Sequence, residues 1–371
     1  MSRTRAFTFY EFFAGGGMAR LGLGAGWQCL FANDFDPLKA RTYGANFGDD
    51  HLKAGDVWAL HAADLPGGAD LAWASSPCQD FSLAGARAGL TGGRSSAFFG
   101  FWKLMQCLAT EGRAPRLIAV ENVVGLLNSH GGQDFQALCR AFAELGYRFG
   151  ALEIDAALFL PQSRPRIVIV ATREAASVLP KGAPSPAIAK ARDALPADLR
   201  ALWIDWPTPD TARANRNLAA ILEPDSDVEW RSQARTGALL DLMDARHRAK
   251  LDKALASGER QVGAIFRRMR AGIQRAEIRF DGLAGCLRTP RGGSSRQMLA
   301  IVQNGEVRTR LMTAREGARA MGLPDDYRLP LSATGALHVV GDGVAVPVVR
   351  WLAAHILEPL LAVPAEVIAA E

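Results

Sequence analysis

The sequence predicts a doubly wound α/β domain joined to a second, smaller, basic lobe. Three observations predict it. Apolar strand-length segments alternate with helix-compatible stretches over the first 172 residues, residues able to do chemistry stand at the ends of those segments, and positive charge crowds between residues 231 and 310. The chain has 371 residues, beyond the ~250–300 at which a single core stops growing, so two lobes are expected. With 49% hydrophobic and 22% charged side chains, a fibrous or disordered chain is excluded.

The elements follow in order. Residues 5–13 are rich in aromatics, as in a buried strand, and run into Ala14-Gly15-Gly16-Gly17 and a helix-compatible stretch, Met18 to Leu23. Trp27 to Ala32 is the second strand and ends in Asn33-Asp34-Phe35-Asp36, with Pro37 suited to the first turn of the next helix. Ala69 to Ala74 leads into Ser75-Ser76-Pro77-Cys78, and Arg116 to Val120 leads into Glu121-Asn122. Arg166 to Ala171 is a β-branched run of the kind buried in a parallel sheet. Beyond Thr172 a Pro- and Ala-rich stretch to about Asp210 reads as the exit from this lobe. Leu239, Met243, His247, Leu251 and Leu255 recur every four residues and predict one amphipathic helix from a Thr236 cap to Gly258, with His247 packed rather than ligating.

Residues 231–310 hold 17 Lys+Arg against 7 Asp+Glu, a local balance of +10 in a chain whose total is +5. Only seven of the 43 basic residues are lysine. A GC-rich coding sequence explains arginine over lysine everywhere, but not its accumulation in one segment, and planar guanidinium forks suit phosphates and guanine edges. A nucleic-acid face is expected there. The five cysteines are odd in number and widely spread, without a Cys-x-x-Cys pair, so neither disulfides nor a structural metal is expected. Glu11 breaks the apolar run that follows Arg3 and Arg5, and the apolar tail from Val344 is cut by Pro347, Arg350, His355 and Glu358. The expectation is a soluble cytoplasmic protein.

The glycine turn fails the dinucleotide fingerprint, because the sixth position counted from Gly15 is Arg20 and from Gly22 is Trp27. A glycine turn with an acid at the next strand end still suits a nucleoside-like ligand. Cys78 at a strand end, before the glycine-rich segment Gly85 to Gly93, joins Glu121 and Arg164 in a set able to attack an electrophilic ring.

Taken in order, Phe13-Ala14-Gly15-Gly16-Gly17, Pro77-Cys78-Gln79, Glu121-Asn122-Val123, Gln162-Ser163-Arg164-Pro165-Arg166 and Gly341-Asp342-Gly343-Val344 resemble the motifs of the DNA (cytosine-5) methyltransferases. The resemblance covers nearly the whole chain, and it lies in the ordered set more than in any one block. It implies a Rossmann-like, S-adenosylmethionine-dependent catalytic domain over residues 1–172 plus 326–371 and a DNA-recognition domain over 173–325. Phe13 would stack near the adenine of S-adenosylmethionine, Gly15 and Gly17 would let the cofactor approach, Asp34 would hold its ribose and Asp56 its adenine amino group. Ala14, Phe35, Pro77, Gly343 and Val344 would complete that site, and S-adenosylhomocysteine would be the product. Cys78 would attack C6 of the target cytosine, Glu121 would bond N3 and the exocyclic amine, Arg164 would hold O2 and Arg166 would support the site.

Double-stranded DNA is the implied partner, met by Gln79, Ser82, Arg267, Arg268, Arg270, Arg288, Thr289, Arg291 and Arg296. The resemblance also implies a monomer, associated with the nucleoid, and admits a restriction endonuclease acting on the same site. Met18, Ser75-Ser76, Ala97 and Asp342 depart from residues common in the family, whereas Cys78, Glu121 and Arg164 are intact. A transfer-RNA cytosine methyltransferase of the same architecture and an inactive DNA-binding relative are the competing readings.

Overall fold

The computed structural model describes residues 6–76, 97–211, 217–289 and 296–362. These form two compact units, one of Met1–Asp155, Pro165–Asp210 and Val344–Glu371, the other of Ala156–Arg164 and Thr211–Gly343.

In the first unit, aromatic β1 (Phe7–Phe12) turns through the glycines into α1 (Met18–Leu23), followed by β2 (Trp27–Asp34), α2 (Pro37–Phe47) and β3 (Leu52–Ala54). Asp36 caps α2 by accepting from the Leu38 and Lys39 N–H groups, and Pro37 occupies the first turn, where no donor is lost. Then come β4 (Leu71–Ala74), α3 (Ala97–Thr110), β5 (Leu117–Val123), α4 (Gln133–Glu144), β6 (Arg148–Asp155) and β7 (Pro165–Thr172). The sheet order is β3-β2-β1-β4-β5-β7-β6. The chain leaves β1 in one direction and returns on its other side at β4, so the order reverses between these two strands. In open α/β sheets ligands bind at the carboxyl ends flanking such a reversal. Phe13–Gly17 and Ser75-Ser76 stand there.

Close packing fixes α1. A Cβ on Gly22 would lie 2.5 Å from the Val349 Cβ and 2.7 Å from the Val346 carbonyl, so only glycine lets α1 lie against the helix Val346–Leu352. Phe12, Phe31, Phe98, Phe101, Phe142 and Phe149 share the apolar core on one side of the sheet.

Two expectations for this unit need correction. The run Arg166–Ala171 is buried, but β7 pairs antiparallel with both β5 and β6. A connection of nine residues, Ala156–Arg164, joins β6 to β7 without a crossover helix, and short connections join antiparallel strands. The stretch after Thr172 does not leave the unit. Phe149 donates to the Leu202 carbonyl at 3.1 Å and accepts from the Ile204 N–H at 2.8 Å. Gly150 permits this, since a Cβ there would lie 1.9 Å from the Ile204 oxygen. Residues 173–210 therefore pack with the first unit and residues 326–343 with the second, unlike the boundaries read from the motifs.

The second unit holds a four-stranded antiparallel sheet, β11-β10-β8-β9, from β8 (Gln261–Arg270), β9 (Ile273–Arg279), β10 (Met298–Gln303) and β11 (Glu306–Leu311). The predicted single helix is two, α5 (Gln233–Leu240) and α6 (Ala245–Ala256), capped by Ser232 and Asp244. Thr236 lies inside α5, its hydroxyl against that of Thr309 at 2.8 Å. Leu239, Met243 and Leu251 still share one core with Ile265, Ile278 and Met298, which is why the stripe runs unbroken across the turn. His247 is half-buried and its Nδ1 accepts from the Ile278 N–H at 3.1 Å.

Arg310 belongs to the basic stretch yet is wholly buried, donating to both Glu316 oxygens at 2.7 and 2.6 Å. Glu316 also accepts from the Thr313 and Glu223 N–H groups, which ties β11 to the helix Ala314–Ala320. Removing one partner strands a buried charge, so Glu316→Ala is expected to cost about 3–5 kcal/mol in urea unfolding. The double variant Arg310→Met with Glu316→Leu should recover much of that loss. Equal destabilisation by both variants would mean that the charges are not what the site opposes.

The run Ala333–Ala362 has the length and composition of a bilayer span, and 61% of its most apolar window is buried inside the protein. It breaks between Asp342 and Val346.

Candidate active site

Asn33 and Asp34 organise the loops at the ends of β1, β2 and β3. The Asp34 carboxylate accepts from the Gly15 N–H at 2.7 Å and the Asp36 N–H at 2.8 Å. Burial raises its pKa, opposed by Lys39 and by these two donors. Asn33 donates its side-chain amide to the carbonyls of Lys53 and Gly55 at 2.7 and 3.0 Å, and its own carbonyl accepts from the Ala14 N–H. The glycine turn is held from beneath while its outer side stays open. Gly15 has φ +58°, and a Cβ built there meets nothing within 4 Å. Gly17, at φ +80°, instead lies against Phe47.

Phe35 is 71% exposed beside Asp34, an unusual position for a large aromatic side chain, whereas Phe13 is half-buried with φ +55°. Asp56 is exposed and caps the turn Val57–Ala59 through the Trp58 N–H at 3.0 Å. An open glycine turn, an acid and an exposed aromatic ring fit an adenosine-containing ligand. Ala14 and Val344 are buried.

Glu11 was read only as a break in an apolar run, yet it sits within β1 under this loop, 1% exposed. It accepts from the Arg20 N–H at 3.3 Å, and burial pushes its carboxyl up to about 8 against the pull of Arg20. An acid inside an aromatic strand was the available signal. Cys29 and Cys139 are buried, and burial pushes the Cys29 thiol up to about 12, in keeping with cysteines that serve as packing.

At the end of β5, Glu121 is 7% exposed and its Oε1 lies 3.2 Å from Arg166 Nε. Asn122 donates to the Ser76 carbonyl at 3.0 Å and so anchors the end of β4. Pro77, Cys78, Gln79, Ser82 and Arg291 lie outside the described residues.

Arg164, expected at the substrate, is 3% exposed and spends its guanidinium on backbone within the second unit. It donates to the carbonyls of Leu287 at 2.8 Å, Gly341 at 3.1 Å and Gly343 at 2.8 Å. Gln162 joins the clasp by accepting from the Leu287 N–H at 3.0 Å. Gly341 must be glycine, since a Cβ there would lie 2.6 Å from the Arg288 carbonyl carbon. Asp342 accepts from the Thr289 hydroxyl and lies 3.4 Å from His338 Nε2, which ties the end of its helix to the loop that carries Thr289.

The expected DNA contacts divide by face. Arg267 stands opposite Ala276 in the β8–β9 ladder, on the face that carries Ile265 into the core, whereas Arg268 and Arg270 point the other way and share Glu277. Arg288 is exposed, and Arg296 is half-buried just ahead of β10.

Known proteins are similar to this chain over nearly its whole length. The Type II methyltransferase M.BsuFI of Bacillus subtilis is 27% identical over 95% of this chain and 73% of its own length. M.HhaI of Haemophilus parahaemolyticus is 25% identical over 94% of this chain and 93% of its own. Among solved structures, a DNMT2 variant from Spodoptera frugiperda superposes with a TM-score of 0.61 at 17% identity, covering 96% of this chain and 99% of that one, a likeness of fold. Since the model of the C-5 cytosine-specific DNA methylases matches residues 7–358, nearly every element described above, the chain belongs to that family and is a DNA (cytosine-5) methyltransferase.

Proposed function

We propose that this methylase modifies a flipped-out cytosine in duplex DNA through a covalent bond between Cys78 and C6, with S-adenosylmethionine as methyl donor. The carrying observation is the Glu121–Arg166 pair at the end of β5, beside a β4 terminus that Asn122 holds two residues before Cys78. Cytosine C5 is a poor nucleophile until a thiolate adds at C6 and N3 is protonated or hydrogen-bonded. Glu121 meets N3 and the exocyclic amine, with Arg166 orienting its carboxylate. The bonding suits Arg166, rather than Arg164, to the O2 contact, because the Arg164 guanidinium is already engaged by backbone carbonyls. When bound, the donor supplies an electrophilic methyl group on a sulfonium. Asp34, Asp56, Phe35 and the turn at Gly15 hold its nucleoside. A base then takes the C5 proton, its electron pair re-forms the C5–C6 double bond, and the C6–S bond breaks to release the Cys78 thiolate. A stacked cytosine is out of reach of this chemistry, and flipping costs roughly a few kcal/mol, offset by contacts to the DNA.

Labelled methyl transfer to duplex DNA and to RNA tests the reading. Incorporation into duplex DNA is expected, incorporation into RNA alone would identify the RNA enzyme, and none into either would mark an inactive relative. The Type II names of the relatives fit a restriction endonuclease as a companion.

The cofactor assignment has its own check. Asp34→Ala is expected to weaken S-adenosylmethionine binding, measured calorimetrically, by roughly 10–100-fold, as for losing a hydrogen bond to a charged group. The methylated sequence should not change. A shifted sequence with unchanged cofactor affinity would place Asp34 elsewhere.

A further inference from the structure

The arginines of the basic stretch separate into those that already hold a carboxylate and those that do not. Arg268 and Arg270 share Glu277, Arg279 holds Asp281, Arg260 and Arg308 share Asp225, and Arg310 holds Glu316. Arg231, Arg235 and Arg296, together with Arg267, line a concavity of about 660 Å³ within the second unit. Arg231 stands just ahead of the Ser232 cap of α5, Arg235 lies in its first turn, Arg267 comes from β8, and Arg296 from just ahead of β10. Glu229 is the one carboxylate among the described residues of its lining. Among the described residues, Arg231, Arg235 and Arg296 have no ion-pair partner. The buried Arg296 Nε has no hydrogen-bond partner among the described residues. Burial, together with Arg267 and Arg235, holds the Arg231 guanidinium below its ordinary range, a sign of cations crowded on one another. Gathering like charges in a concavity is unfavourable unless an anion occupies it.

We infer that this concavity anchors successive phosphodiesters of the DNA backbone. The inference rests on the reading of the protein as a DNA enzyme and adds a site to it. Phosphate fits better than a base edge, because planar forks bind phosphate oxygens in pairs and successive phosphates can meet several forks, whereas one guanine edge engages a single fork. Anchoring here positions the unit on any sequence and leaves base reading to other residues.

The test uses the full-length protein with Arg231→Gln, Arg235→Gln and Arg296→Gln made singly. These side chains are exposed or half-buried, and thermal melting confirms that each variant folds. Binding is measured over a salt series on a duplex carrying the methylated site and on an unrelated duplex. Each variant should bind both duplexes roughly fivefold more weakly near 0.15 M salt, with the slope of log K against log salt smaller by about 0.9, and should methylate the same sequence. A neutral methylphosphonate placed in turn at each phosphate around the site should weaken the wild type at the anchored position and add nothing further to Arg296→Gln. Unchanged slope and affinity in all three variants would overturn the site, and a changed methylated sequence would make these residues base readers instead. If the wild type neither binds nor methylates duplex DNA, the DNA reading itself fails. If it does both while the variants match it, only the phosphate site fails.

Discussion

Replacing Cys78 with serine is expected to abolish methyl transfer while DNA binding stays measurable. A cysteine thiol titrates near 8.5, so a few per cent is thiolate at neutral pH, and the thiolate is intrinsically a strong nucleophile. A serine hydroxyl has nearly the same shape but is almost wholly protonated at that pH. The loss should be on the order of 10⁴–10⁶-fold in turnover, comparable with deleting the nucleophile of a covalent hydrolase. Duplex DNA carrying 5-fluorocytosine, with S-adenosylmethionine present, gives a direct readout, because C5 then carries fluorine where a base would take a proton, the thiolate is not expelled and the adduct persists through a denaturing gel. The wild type should be trapped and the serine variant should not. Substantial activity in the serine variant would move the nucleophile to another residue.

Glu121→Gln should slow single-turnover methylation by ~10²–10⁴-fold, the usual contribution of a general acid or base. The amide keeps the shape and can bond at N3, but it cannot deliver a proton there. Its effect therefore belongs in the chemical step, with a smaller effect on DNA affinity. Arg166 also loses the carboxylate that lies 3.2 Å from its Nε, and the variant's melting temperature separates that structural effect from the chemical one. An unchanged single-turnover rate would remove Glu121 from the mechanism.

The first half of the fold was legible because its signals are local. Phe7 to Phe12, the glycine turn, and Asp36 with Pro37 each specify a strand, a turn or a capped helix within a few residues. The strand Arg148–Asp155 was missed, since alternation broken by Gly150 is a weak pattern, and the glycine is there for the approach of Ile204, some fifty residues away. The helices α5 and α6 read as one because both turn their apolar residues to the same sheet, although Asp244 was a visible cap.

What the sequence determined by itself is the family. Motif blocks are short, and the order of Cys78, Glu121 and the Arg164-Pro165-Arg166 segment survives in one dimension whatever the packing. Only the tertiary structure decided the direction of β7, since a run of buried residues reports burial on both faces and not which way a strand points. The structure also decided which arginines are spent and which remain. Charge counts treat Arg310, Arg268 and Arg231 alike, but Glu316 lies six residues from the first and Glu277 nine from the second, whereas among the described residues the third has no ion-pair partner. A guanidinium's work depends on what is within about 4 Å of it, and that neighbourhood is assembled from strands and helices distant in the chain.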